Sequence, residues 1–177
     1  KGNYHVGNVL ETISPSMDIQ IASNFERLIY DLNDQNDKKT IEVMKRIKEN
    51  GKYEINKENL DKINFNFLSS RMDESEILNT IKTVYEKFDK VLDPHSAIGY
   101  AAFDKINLKG NNIVLATAHP SKFPDAIEKA INIKAELPHK LEFILNKKEN
   151  YDIIENNLNT IKQHIKERIQ WNLKKMI

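Results

Sequence analysis

Three stretches of this sequence gather the residue types that bind and transform small charged molecules. The first, Thr12-Ile13-Ser14-Pro15-Ser16-Met17-Asp18-Ile19-Gln20, runs into Ser23-Asn24-Phe25-Glu26-Arg27. The second is Asp93-Pro94-His95-Ser96-Ala97-Ile98-Gly99, and the third is Ala116-Thr117-Ala118-His119-Pro120-Ser121-Lys122-Phe123-Pro124-Asp125-Ala126. In the first, loop hydroxyls, an Asn and a helix N-terminus suit a phosphate or a carboxylate, and Ser14, Ser16, Asp18, Ser23 and Asn24 are the candidates. A helix capped by Ser23 or Asn24, with Arg27 paired to Glu26 or Asp31, accounts for the same residues without a ligand. In the third, Thr117 ends an apolar run, the place where an α/β sheet turns side chains into a ligand crevice. His119, Ser121 and Lys122 follow, ahead of a helix start that favours anions. The alternative is a turn stiffened by Pro120 and Pro124. In the second, Asp93 and Pro94 read as the N-cap and first residue of a helix, with His95 in its first turn.

Other chemistries lack their residues. No G-x-S-x-G or H-E-x-x-H pattern occurs, and the five His, at 5, 95, 119, 139 and 164, are too scattered for a metal site. The 177-residue chain has no Cys, which excludes disulfides, thiolate metal sites and cysteine nucleophiles. Its five Gly form no phosphate-cradling loop. With 27 basic against 26 acidic residues there is no global electrostatic case for a nucleic-acid partner. The basic set Lys162, Lys166, Arg168, Lys174 and Lys175 reads as the solvated face of a helix. The longest apolar run, Ala97 to Phe103, is far short of the roughly 18 residues a membrane span needs, so no membrane partner is expected. Lys outnumbers Arg 23 to 4 and there are 21 Asn. That bias looks genomic, and it lowers the weight of any single Lys or Asn.

The elements that must position these stretches follow from periodicity. Phe25, Leu28, Ile29 and Leu32 mark one helix, and Ile41, Met44 and Ile47 a second that stops at Asn50-Gly51. A short helix is expected over 57–63. Asp73, with Glu76 three residues on, opens a helix carrying the stripe Ile77, Leu78, Ile81, Val84, Tyr85 and Phe88. Asp93-Pro94 starts a helix to about 107, Pro124 one to 131, and Ile154, Leu158, Ile161, Ile165 and Ile169 define a C-terminal amphipathic helix. Strands are expected at 9–13, Phe65–Phe67, Lys90–Leu92, Ile113–Ala116 and Leu141–Leu145, the fourth buried on both faces. Alternating strands and helices make an α/β sheet covered on both sides.

Taken together and in this order, the three stretches resemble the signatures of the threonine synthase family of bacterial and fungal type. Leu137-Pro138 before the last expected strand fits as well, so the resemblance covers residues 1–140, leaving 141–177 as a last strand and a C-terminal helix. The resemblance implies an α/β, three-layer αβα architecture, the C-terminal part of a fold-type-II pyridoxal-phosphate enzyme like the tryptophan synthase β-subunit. It implies a cytoplasmic carbon–oxygen lyase that converts O-phospho-L-homoserine and water to L-threonine and phosphate. By resemblance, the Thr117 hydroxyl faces the pyridine nitrogen of pyridoxal 5'-phosphate. Ser14, Ser16, Asp18, Ser23, Asn24, His119 and Lys122 would lie near the substrate. The Schiff-base lysine and the cofactor-phosphate loop of the family belong ahead of this sequence, which starts at Lys1 without Met or a signal pattern. None of the 23 Lys stands in a context like that lysine. The chain is therefore expected to be the C-terminal part of the enzyme, to have the N-terminal portion as its partner, and to be inactive and poorly folded alone. The alternative is a non-catalytic binding or regulatory module derived from such an enzyme.

Overall fold

Asp73 opens the element around which the core is built. Its carboxylate accepts from the Glu76 N–H at 2.8 Å while the Glu76 carboxylate accepts from the Asp73 N–H at 2.8 Å, a complete capping box. The helix it starts, α4 (Glu74–Phe88), ends on left-handed Asp89. The computed structural model describes residues 2–175, with side chains through Gln170. Two further helices pack on α4: α5 (Pro94–Ile106) and α6 (Pro124–Ile131). The core between them is Ile77, Ile81, Ala97 and Ile127, with Ile13, Met72, Val91 and Leu92 covering its edge. Ile81 and Ile127 are wholly buried, each contributing about 2 kcal/mol of apolar burial. Ion pairs rim this core: Lys105 reaches Glu76 at 2.5 Å and Lys129 reaches Glu74 at 2.9 Å.

Ahead of this core lie α1 (Ser23–Leu32), α2 (Asp37–Asn50) and α3 (Lys57–Asn66), with a two-stranded antiparallel ribbon of β1 (Asn3–His5) and β2 (Lys52–Glu54), Tyr4 facing Tyr53. Ile29, Val43 and Ile47 form a second cluster, over which Tyr4 stacks on Phe25 at 4.5 Å between ring centres. The chain turns from α2 into β2 at Gly51, whose φ of 64° is the left-handed geometry a helix C-cap demands. These elements belong to one compact unit that ends at Glu136.

A second unit begins at Leu137 and holds a 3-10 helix, His139–Asn146, and α7 (Leu158–Lys175). Within it, Arg168 hydrogen-bonds Asp152, and His164 lies 3.4 Å from the same carboxylate. Lys162, Lys166 and Arg168 are exposed, while the side chains of Lys174 and Lys175 lie outside the described residues.

The expected helices form, the last of them only from Leu158, so that Ile154 lies ahead of it; the expected strands do not. Phe65 falls inside α3 and is 89% exposed, and only Phe67 adopts extended geometry, at the helix C-cap. Residues 9–13, 90–92 and 113–116 carry no regular structure, and 141–145 is 3-10 helical rather than the last strand. The reason is the same throughout. A strand is held by hydrogen bonds to neighbouring strands, and among the described residues the only such pair is β1 with β2. Ile113, expected to be buried on both sides, is 88% exposed.

Candidate active site

Asp93 is the centre of the candidate site, and local sequence explains why. As N-cap of α5 it accepts from the His95 N–H at 2.9 Å and the Ser96 N–H at 3.4 Å, and Pro94 supplies the ready-made first turn. It is 1% exposed, so its four lone-pair sites must be satisfied within the protein. Two side chains do so: His95 Nδ1 lies 3.0 Å from Oδ1, and the Ser96 hydroxyl donates to Oδ2.

Each of those side chains then reaches another stretch. The Ser16 N–H donates to His95 Nε2 at 3.2 Å, joining the first stretch to the second. A backbone amide can only donate, so Nε2 is unprotonated and the ring proton is on Nδ1, directed at Asp93. The His95–Asp93 contact is therefore a hydrogen bond that the imidazole Nδ1–H donates to the carboxylate. The Thr117 N–H donates to Ser96 Oγ at 3.0 Å, joining the third stretch to the second. The His95 ring also packs against Phe123, centroid to centroid 4.7 Å and tilted by 53°.

The first stretch is braced from within. Asp18 accepts from the Thr12 N–H at 2.8 Å and from its hydroxyl at 2.9 Å, and the Thr12 and Ser14 hydroxyls are 3.0 Å apart. Ser14 is buried and closes the 3-10 turn Pro15–Met17 through its carbonyl, which accepts from Met17 N–H at 2.8 Å. The Ser16 side chain stays exposed. In the third stretch His119 caps the turn Pro120–Lys122: its Nδ1 accepts from the Ser121 N–H at 3.2 Å, which leaves the proton on Nε2. His119 and His95 thus hold opposite tautomers, each dictated by a backbone donor.

A cavity of about 400 Å³ opens beside this junction, lined by Asp93, Ser96, Ala116, Ala118 and His119 among others. Thr117, between two of the lining alanines, is not part of that lining; its side chain is exposed and its hydroxyl has no hydrogen-bond partner among the described residues.

Of the candidates from sequence, Ser14, Ser16, Asp18, Thr117 and His119 belong to this junction or its braces, and Lys122 is an exposed residue at the end of the His119 turn. Ser23 and Asn24 do not cap α1, whose N-cap is Ala22. Asn24 is bonded by Arg27, and Ser23 and Arg27 line a separate cleft of about 480 Å³ with Tyr30 and Thr40. Asp93, Ser96, Thr12 and Phe123 were not among the candidates. The N-cap pattern marked Asp93, but nothing in the local sequence says that the partners of His95 and Ser96 lie in the other two stretches.

Comparisons with known proteins bear on what this junction belongs to. Residues 96–165 match the family model described as threonine synthase, C-terminal. Threonine synthase of Pseudomonas aeruginosa is 36% identical over 150 residues, 83% of this chain and 32% of that protein. Among solved structures, the PLP-bound threonine synthase of Brucella melitensis superposes with a TM-score of 0.77 and 35% identity, over 94% of this chain and 36% of that one. The yeast threonine synthase gives 0.72 and 32%, over 96% and 38%. The chain spans about a third of the length of the relatives it matches. Its fold is that of the corresponding part of those enzymes, and the α/β class expected from the sequence holds at that level, although among the described residues the expected strands form no ladder and only β1 and β2 pair. By sequence and by fold, this chain matches the C-terminal part of threonine synthases.

Proposed function

We propose that this chain supplies the C-terminal part of a cytoplasmic threonine synthase, a pyridoxal-phosphate carbon–oxygen lyase that turns O-phospho-L-homoserine and water into L-threonine and phosphate. The observation that carries the reading is the convergence of the three family stretches on one buried carboxylate, Asp93. When bound, pyridoxal phosphate supplies the electron sink for proton removal and phosphate loss.

Thr117 fits a role toward that cofactor. Its backbone is fixed by Ser96 and its hydroxyl is uncommitted, a neutral partner suited to an unprotonated ring nitrogen. Ser96 can hold it there because its own proton goes to Asp93, which leaves an oxygen lone pair for the Thr117 N–H. The turn Ser14–Met17 would face the substrate, with the Ser16 hydroxyl and the His119 Nε2–H as available polar groups. Asp18 acts one step back by holding Thr12. Ser14 is spent on the turn itself and serves its shape. Lys122, exposed at the end of its turn, offers a positive charge for an anionic substrate.

The test is phosphate release. The whole protein to which this chain belongs, supplied with pyridoxal phosphate, should release phosphate from O-phospho-L-homoserine and form threonine. The 177-residue chain alone should release none. An inactive whole protein, or an active isolated chain, would overturn the reading.

A further inference from the structure

His95 is held on three sides by groups that leave its ring no freedom. Nδ1–H points to Asp93 at 3.0 Å, Nε2 takes the Ser16 N–H at 3.2 Å, and Phe123 lies against the ring at 4.7 Å. Its side chain is 8% exposed and that of Asp93 is fully buried. A histidine so committed, with Nδ1–H given to a carboxylate and Nε2 occupied by a main-chain amide, has no lone pair or proton directed at a substrate. It can still fix geometry. The braces inside the first stretch, Thr12 to Asp18 and Met17 to Ser14, set the shape of the turn but not its place relative to Thr117. The Ser16–His95 bond does set it, because α5 carries His95 and Ser96 side by side and Ser96 holds Thr117.

We propose that His95 is a positioning residue: it clasps the Ser14–Met17 turn at a fixed distance from Thr117, so that substrate binding, rather than proton transfer, depends on it. This rests on the proposed function, since it takes that turn to face the substrate. Asp93 is part of the device, because its acceptance of the Nδ1 proton is what keeps Nε2 a lone pair.

Two substitutions in the whole protein separate the possibilities. In His95→Gln the terminal amide reaches the position of Nε2 and can accept from Ser16. In His95→Asn the amide ends near the position of Nδ1, keeping Asp93 company but leaving Ser16 unpaired. Hydrogen–deuterium exchange at the Ser16 amide should be faster in His95→Asn by about 3- to 10-fold, the size of one hydrogen bond, and should return toward wild type in His95→Gln. The KM for O-phospho-L-homoserine should rise by a similar 3- to 10-fold factor, about one hydrogen bond, in His95→Asn with kcat little changed, and recover in His95→Gln. Unchanged Ser16 exchange in both variants would overturn the clasp. A large fall in kcat at constant KM would overturn it in favour of proton transfer by His95. Should His95→Asn not fold, His95→Gln still decides, since a clasp predicts near-normal KM and a proton carrier predicts a lost kcat. Exchange is read without substrate, so an inactive wild type with an intact Ser16 response would overturn the proposed function and not the clasp.

Discussion

The Ser96 hydroxyl accepts the Thr117 N–H at 3.0 Å while donating its own proton to buried Asp93. One oxygen thereby ties the start of α5 to the segment that holds Thr117, residues 21 apart in sequence. A buried hydroxyl in this double role is costly to remove. Of the partners it leaves behind, Asp93 is buried and cannot turn to water.

Ser96→Ala should accordingly destabilise the protein by about 1–3 kcal/mol, the cost of stranding one lone pair of buried Asp93 and losing the bond to the Thr117 N–H. Urea unfolding of the variant against wild type measures it. A difference below about 0.5 kcal/mol would mean that Thr117 is held by something other than Ser96.

Substitution of Thr117 separates backbone from side chain. Thr117→Val keeps the N–H that Ser96 holds and removes only the hydroxyl, so stability should change by no more than about 0.5 kcal/mol. Cofactor binding should weaken by about 3- to 10-fold, and Thr117→Ser should restore it. Titration of the whole protein with pyridoxal phosphate, followed by absorbance, reads the effect. Equal affinity in Thr117→Val and wild type would remove Thr117 from the cofactor site.

Acid should act on the cap of α4. The Lys105 ammonium beside Glu76, aided by the Asp73 N–H, holds the Glu76 carboxyl below its ordinary value, and the Ser75 hydroxyl with the Glu76 N–H does the same for Asp73. Both groups are lowered on folding, so their contribution is complete above their ordinary values, 4.5 and 3.8, and is lost as the pH falls through the depressed ones. Glu76→Gln keeps a side-chain acceptor for the Asp73 N–H but carries no titrating charge. Its melting temperature between about pH 6 and pH 3 should fall less steeply than that of wild type. Parallel curves would show that the Glu76 charge adds nothing.

The core has a simpler expectation. Ile81 is wholly buried between α4 and its neighbours, and Ile81→Ala should cost about 2–5 kcal/mol in urea unfolding. A cost under about 1 kcal/mol would mean that the core closes over the gap or is loosely packed.

What could be read in advance divides along the range of the forces involved. The capping box at Asp73, the Asp93-Pro94 start and the Gly51 stop are settled by atoms within four residues, and all three appear as expected. The apolar run at Ile113–Ala116 has the composition of a buried strand, but a ladder needs a neighbour, and composition does not say where that neighbour lies. The same limit applies to the site. Asp93 was legible as a cap and Thr117 and His119 as candidate polar groups, whereas the bond from Ser16 to His95 spans 79 residues and left no local mark. The cap expected at Ser23 or Asn24 does not form for the opposite reason: their residue types suit a cap, but Ala22 takes that position and Arg27 claims Asn24.

That Ser16 meets His95 through its main chain has a consequence for how the position can vary. The bond asks only for an N–H, so nineteen of the twenty amino acids could make it and proline alone could not. Residue 95, by contrast, must offer a lone pair at one distance and a proton at another, which few side chains do. Substitutions could therefore accumulate at 16, altering what the turn presents to a ligand, while the turn stays where it is. One side of the clasp is free to specialise because the other side is not.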